Sequence, residues 1–135
     1  MSDKLPTTQE LLTKVGDLID KGTYRKIIGQ LNDSTCNGRC YLGLVVEVLV
    51  QKGFCEWQEG TRNTVEITPK GEAAGVTDDH MKCLDFRFLG LPNRIKNLTG
   101  KQTPIWKLND DYNTEFKDIH QQVLEHIQTQ NDTQP

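Results

Sequence analysis

Residues Cys40 to Gln51 read Cys-Tyr-Leu-Gly-Leu-Val-Val-Glu-Val-Leu-Val-Gln, the most apolar stretch of the chain. Glu47 is its one carboxylate, and Lys52-Gly53 follows as a stop signal. Val45, Val46, Val48 and Val50 are β-branched and favour a strand. A length near twelve residues and the Lys-Gly stop favour a buried helix, and helix is the reading adopted. The stretch is far shorter than a bilayer requires, so its apolar faces have to be covered by the rest of the protein. On such a helix the 100° step places Cys40 and Glu47 nearly in line, flanked by Gly43 and Leu44.

The rest of the chain must supply that cover. Residues 7–21 read as a first helix, with Thr7 and Glu10 at capping-box spacing and a stripe of Leu11, Val15, Leu18 and Ile19. Gly22 is placed to end it. Thr23 to Leu31 alternates loosely, which suits an extended segment or a short irregular helix. Phe54–Trp57 and Thr64–Thr68 read as two strands around a turn at 59–63, since Val65 and Ile67 alternate with polar neighbours. Pro69 to Asp85 reads as a long surface loop, Pro92 to Leu98 as a short helix stopped by Gly100, and Ile105 to Leu108 as extended. Residues 114–128 predict a closing helix with Phe116, Ile119, Val123 and Ile127 on one face. The expectation is a helix-dominated α+β single domain over residues 7–128 with a small antiparallel β-hairpin. Residues 1–6 and 129–135 are expected to be disordered.

A chain of 135 residues is long enough for one domain with a real core. Its formal charge of −3 excludes indiscriminate grip on nucleic acid or anionic lipid. The two serines, Ser2 and Ser34, lie in no nucleophile elbow, and no two of His80, His120 and His126 are four residues apart. Glycine-rich phosphate loops are absent as well. The polar N-terminus has no apolar signal core, so the protein is expected to remain in a reducing cytoplasm, away from membranes. Cys36, Cys40, Cys55 and Cys83 are then expected as thiols.

Three segments carry a resemblance. They are Cys40-Tyr41-Leu42-Gly43-Leu44 leading to Glu47, then Leu91-Pro92-Asn93-Arg94-Ile95-Lys96-Asn97-Leu98, then Leu108-Asn109-Asp110-Asp111 through Phe116 and Ile119. In this order they resemble a family of small proteins of tailed bacteriophages and prophages. That family carries a Cys-Cys-Leu-Gly-Val segment, a Leu-Pro-x-x-Val/Ile helix and a closing Leu-Asn-Asp…Phe-x-x-Ile helix. Gly22-Thr23-Tyr24 fits its upstream Gly-x-Tyr. Tyr41 stands where the family has a second cysteine, so chemistry needing adjacent thiols is not carried over. The resemblance implies a phage origin and the cytoplasm of a bacterial host, and it implies no mechanism.

Three constellations could carry chemistry. A buried Glu47 beside Cys40 would serve as a general base or ligand anchor, or as a structural tie to a nearby Arg or Lys. Cys36, Cys40, His80 and Cys83 offer four soft ligands to zinc, against the alternative of reduced thiols packing as small hydrophobes. From Arg87 through Lys107 the chain carries Arg87, Arg94, Lys96, Lys101 and Lys107 with no acid, whereas Asp110, Asp111, Glu115, Asp118, Glu125 and Asp132 follow. The net charge is +2 through residue 108 and −5 beyond it. Either two solvated faces satisfy each other, or the basic stretch binds an anion with Trp106 or Tyr112 as a stacking platform. Trp106, between Pro104 and Lys107, is the aromatic expected to be partly exposed.

The leading expectation is a non-enzymatic accessory protein that binds a host protein, with no cofactor. Sequestration of a nucleotide-type signal at the basic stretch is the alternative, and an enzyme using Glu47 or a Cys/His pair is the less favoured one. Protein binding predicts an exposed apolar patch. Sequestration predicts a concave basic pocket near Arg94.

Overall fold

The computed structural model describes residues 4–27, 32–33, 38–58, 65–83, 85–96, 100–110 and 114–133. They fold as a helix-dominated α+β domain built around the apolar stretch, which is helix α2 (Tyr41–Gln51). A helix apolar on every face is stable only inside a core, and every residue from Tyr41 to Leu49 is buried. Among the described residues, no helix is long and apolar enough to cross a membrane.

Helix α1 (Thr8–Lys21) forms as its punctuation predicts. Thr7 accepts from the Glu10 amide, Glu10 accepts from the Thr7 amide, and Gly22 ends the helix in the left-handed region at φ 66°. Its stripe of Leu11, Val15 and Leu18 packs on α2. Gly90, at φ 81°, leaves no room for a Cβ beside Thr8, whose hydroxyl donates to the Leu89 carbonyl at 2.9 Å. The N-terminus of α1 is thereby fixed to the middle of the chain, with Pro6 buried and Leu5 against the core.

The expected hairpin is present. Strand β4 (Cys55–Trp57) pairs antiparallel with β5 (Val65–Ile67), Glu56 opposite Glu66, and lies beside α2. A second small sheet was not foreseen. In it β3 (Gly38–Arg39) lies between β1 (Arg25–Lys26), parallel, and β2 (Asn32–Asp33), antiparallel.

Four expectations are corrected. The surface loop expected over 69–85 contains two short helices, α3 (Pro69–Ala73) and α4 (Asp78–Lys82). Thr68 caps α3 with Pro69 at its first position, and Thr77 caps α4 with His80 bonding back to the Thr77 amide. The helix expected over 92–98 is instead strand β6 (Arg94–Lys96), paired antiparallel with β7 (Gln102–Pro104). Its cause is period two: Ile95 is buried between exposed Arg94 and Lys96. Ile105 to Leu108, expected extended, lies in helix α5 (Ile105–Asn109), which starts straight from Pro104. Finally, α6 (Phe116–Thr133) runs past residue 128, with Phe116, Ile119 and Val123 buried as the stripe predicted.

Helix α2 is enclosed by α1 on one side and α5 on another, and α6 packs against both. Asn109 ties these together. Its side-chain carbonyl accepts from the Tyr41 amide at 2.9 Å and its amide donates to the Ile27 carbonyl at 2.8 Å. The Asn109 backbone carbonyl accepts from Lys26 Nζ at 2.8 Å. Asn109→Ala leaves the buried Tyr41 amide and the half-buried Ile27 carbonyl without this partner and is expected to cost about 1–3 kcal/mol in denaturant unfolding. Gln122 is buried with its side-chain oxygen unpartnered among the described residues. Gln122→Met is therefore expected to stay within about 1 kcal/mol of the parent.

Candidate functional site

The Cys40–Glu47 constellation is resolved by its partners. Cys40 is the N-cap of α2, its thiol accepting from the Gly43 amide at 3.2 Å. One oxygen of Glu47 accepts from Arg39 Nε at 3.2 Å, Arg39 Nη2 at 3.0 Å and Trp57 Nε1 at 3.1 Å. The Arg39 guanidinium lies over the rings of Tyr24 and Trp57, 4.6 and 5.2 Å from their centroids. Carboxylate and guanidinium are both buried, so each satisfies the other's charge where water cannot. This is the structural tie to an arginine, and Glu47 has its donors already in place.

The described members of the soft-ligand set, Cys40, His80 and Cys83, do not form a metal-binding group. Cys36 lies outside the described residues. Cys40 is buried at the start of α2, His80 stacks on Phe88 at 4.0 Å between centroids, and Cys83 is exposed at the end of α4. Among the described residues no group of three His, Cys, Asp or Glu could hold a metal ion. Cys40, Cys55 and Cys83 are free thiols. Burial pushes Cys40 up to about 11, and burial with the nearby Glu47 charge pushes Cys55 up to about 12.

The basic stretch is divided. Arg87 is exposed and paired with Asp85 at 2.7 Å. Arg87 and the Asn93 side chain hold the Asp85 carboxyl well below the usual range. Lys96 is exposed on β6, its amide donating to His126 Nδ1 at 3.4 Å, and Asp110 ends α5. Asp111 and Tyr112 lie outside the described residues.

Arg94 and Trp106 are brought together. The β6–β7 hairpin places Arg94 at the mouth of a cleft of about 480 Å³ whose other side is the start of α5. Leu42, Phe86, Leu91 and Ile105 supply apolar lining, and Lys82, Cys83, Asn93 and Arg94 supply polar atoms. No carboxylate lines it among the described residues. Trp106 is 53% exposed there, on the outward side of α5 while Ile105 and Asn109 point inward. Lys82 was not singled out from the sequence. The Thr77-Asp78-Asp79-His80 cap, read as a helix start, would have drawn attention to it.

A larger concavity of about 790 Å³ runs between α1 and α6. Gly16 faces His120 closely enough that a Cβ would stand 3.1 Å from Nε2. The other ring nitrogen of His120 lies 2.9 Å from the Tyr41 hydroxyl, joining α6 to α2.

Two outcomes follow. Alkylation mapped by mass spectrometry should label Cys83 well before Cys40 and Cys55, which stay protected until unfolding. Burial lowers the His120 pKa, and the Asp20 charge opposes this only in part. A base so lowered binds fewer protons when folded, so stability should be full above about pH 6.5 and decline as the pH falls below it. His120→Gln should flatten that part of a melting-temperature profile. Comparison of the chain with protein-family models, curated proteins and solved structures finds no match.

Proposed function

We propose that this is a binding protein whose cleft between the β6–β7 hairpin and α5 takes an anionic ligand bearing a planar ring, of the nucleotide class. The observation that carries this reading is the convergence of Arg94, Lys82 and the exposed Trp106 on one concavity that no carboxylate lines among the described residues. Two cations would face the phosphate oxygens, and Arg94 would offer the bidentate fork suited to them. The Trp106 face would stack a base, an interaction worth about 1–3 kcal/mol. The cleft volume falls within the range of small-molecule sites. Neighbouring Asp85 does not oppose an anion strongly, since Arg87 and Asn93 occupy it.

The resemblance to small phage proteins makes capture of a host nucleotide signal the setting for this chemistry. Binding of a host protein remains the second reading, and the long groove between α1 and α6 is the feature that favours it.

Titration with adenosine and guanosine mono- and diphosphates, followed by thermal shift and tryptophan emission, tests the cleft. Binding should weaken with salt and slow the alkylation of Cys83. Arg94→Gln and Trp106→Ala should each weaken it about tenfold, whereas Lys96→Gln should change it little. The same response in the Trp106→Ala protein, or no response from the parent at millimolar ligand, removes the proposal.

A further inference from the structure

Trp106 and Leu124 are the large hydrophobic side chains left exposed among the described residues. Trp106 belongs to the cleft, and Leu124 lines the groove between α1 and α6. The groove is formed by an antiparallel pair of helices: Ile19 lies near Phe116 and Lys117, and Gly16 lies against His120. Leu12, Ile19, Leu124 and Ile127 make its apolar part. The lining spans Thr8 to Asp20 on α1, a rise of about 18 Å. That length matches about three turns of a third helix laid along the two.

The charges choose the occupant. Asp17 and Asp20 line the groove, and neither takes an ion pair among the described residues. Lys117 is the lining cation, and it is already 3.6 Å from Glu115. The groove thus presents apolar side chains beside uncompensated negative charge.

We propose that the α1–α6 groove docks an amphipathic helix of a partner protein, with its apolar stripe on Leu124, Ile19 and Ile127 and its Lys or Arg residues on Asp17 and Asp20. Helix-in-groove recognition of this kind draws affinity from the apolar anchors and register from the flanking charges. It is independent of the cleft, whose lining shares no residue with the groove.

A labelled synthetic helix of about sixteen residues, with Leu on one face and Lys elsewhere, is the probe. Its partners in the test are a Glu-for-Lys counterpart and a version interrupted by proline. Fluorescence anisotropy should show binding of the Lys peptide and little binding of the other two. The double variant Asp17→Lys with Asp20→Lys should lose the Lys peptide by about tenfold or more and gain the Glu peptide. Leu124→Glu should weaken the Lys peptide, and adenosine monophosphate should not compete with it. Because all three positions are on the surface, circular dichroism should report an unchanged fold. Hydrogen exchange on the parent protein gives a readout free of substitutions: the peptide should protect residues 8–20 and 117–128.

Equal affinity of parent and double variant overturns the proposal, as does protection elsewhere. Equal binding of the proline-interrupted peptide overturns helical docking. A concentration-dependent dimer of the parent that Leu124→Glu dissolves would assign the groove to a second copy of the chain instead.

Discussion

A helix buried on every side has donors at its N-terminus that water cannot reach, and the way this protein supplies their acceptors organises the rest of it. The Cys40 thiol takes the Gly43 amide and the Asn109 side chain takes the Tyr41 amide. Because the latter acceptor comes from α5, capping α2 also fixes α5 against it. Asn109 and Ile105 form the inner side of that five-residue helix, which leaves Trp106 facing outward. An isolated helix of five residues has no stability of its own in water. The placing of the exposed indole in the cleft therefore depends on a buried hydrogen bond one turn away.

The second polar feature of the core works on the same helix. Glu47, Arg39 and Trp57 join α2 to β3 and β4, and Tyr24 covers the guanidinium. A buried ion pair of this type contributes less through its attraction than through the cost of breaking it, since either partner left alone is an uncompensated charge in the core. The polar residues divide accordingly: Cys40, Glu47 and Asn109 hold the scaffold, and Arg94 lines the cleft.

What could be read from the sequence was whatever has a period or a cap long enough to register. The helix over 7–21, the apolar helix, the hairpin at 54–68 and the stripe of the closing helix all carry such signals. So did the partly exposed position of Trp106 between Pro104 and Lys107. The misread segments are short. Pro69–Ala73, Asp78–Lys82 and Ile105–Asn109 hold five residues each, too few for a 3.6-residue period to be distinguished from a loop. Arg94-Ile95-Lys96 is a strand only because Gln102–Pro104 lies beside it, and that pairing leaves little mark within three residues. The cleft was half legible for the same reason. Arg94 and Trp106 stood out by charge and rarity, but Lys82 enters from a helix whose presence had to be known first.

The balance of 16 basic and 19 acidic residues looks featureless until the two concavities are compared. The cleft offers Lys82 and Arg94 beside an exposed indole, and the groove offers Asp17 and Asp20 beside an exposed leucine. Among the described residues, the two exposed large apolar side chains thus line concavities of opposite net charge. An anion drawn to the cleft is repelled at the groove, and a basic helix suited to the groove is repelled at the cleft. Opposite local charge would let one small domain take the two proposed ligands without either blocking the other's place. Both sites are framed by the same core, with Leu42 of α2 lining the cleft and Tyr41 of α2 bonded to His120 beneath the groove. The core between the two is closely packed and has little freedom to shift, so the two ligands are expected to bind independently.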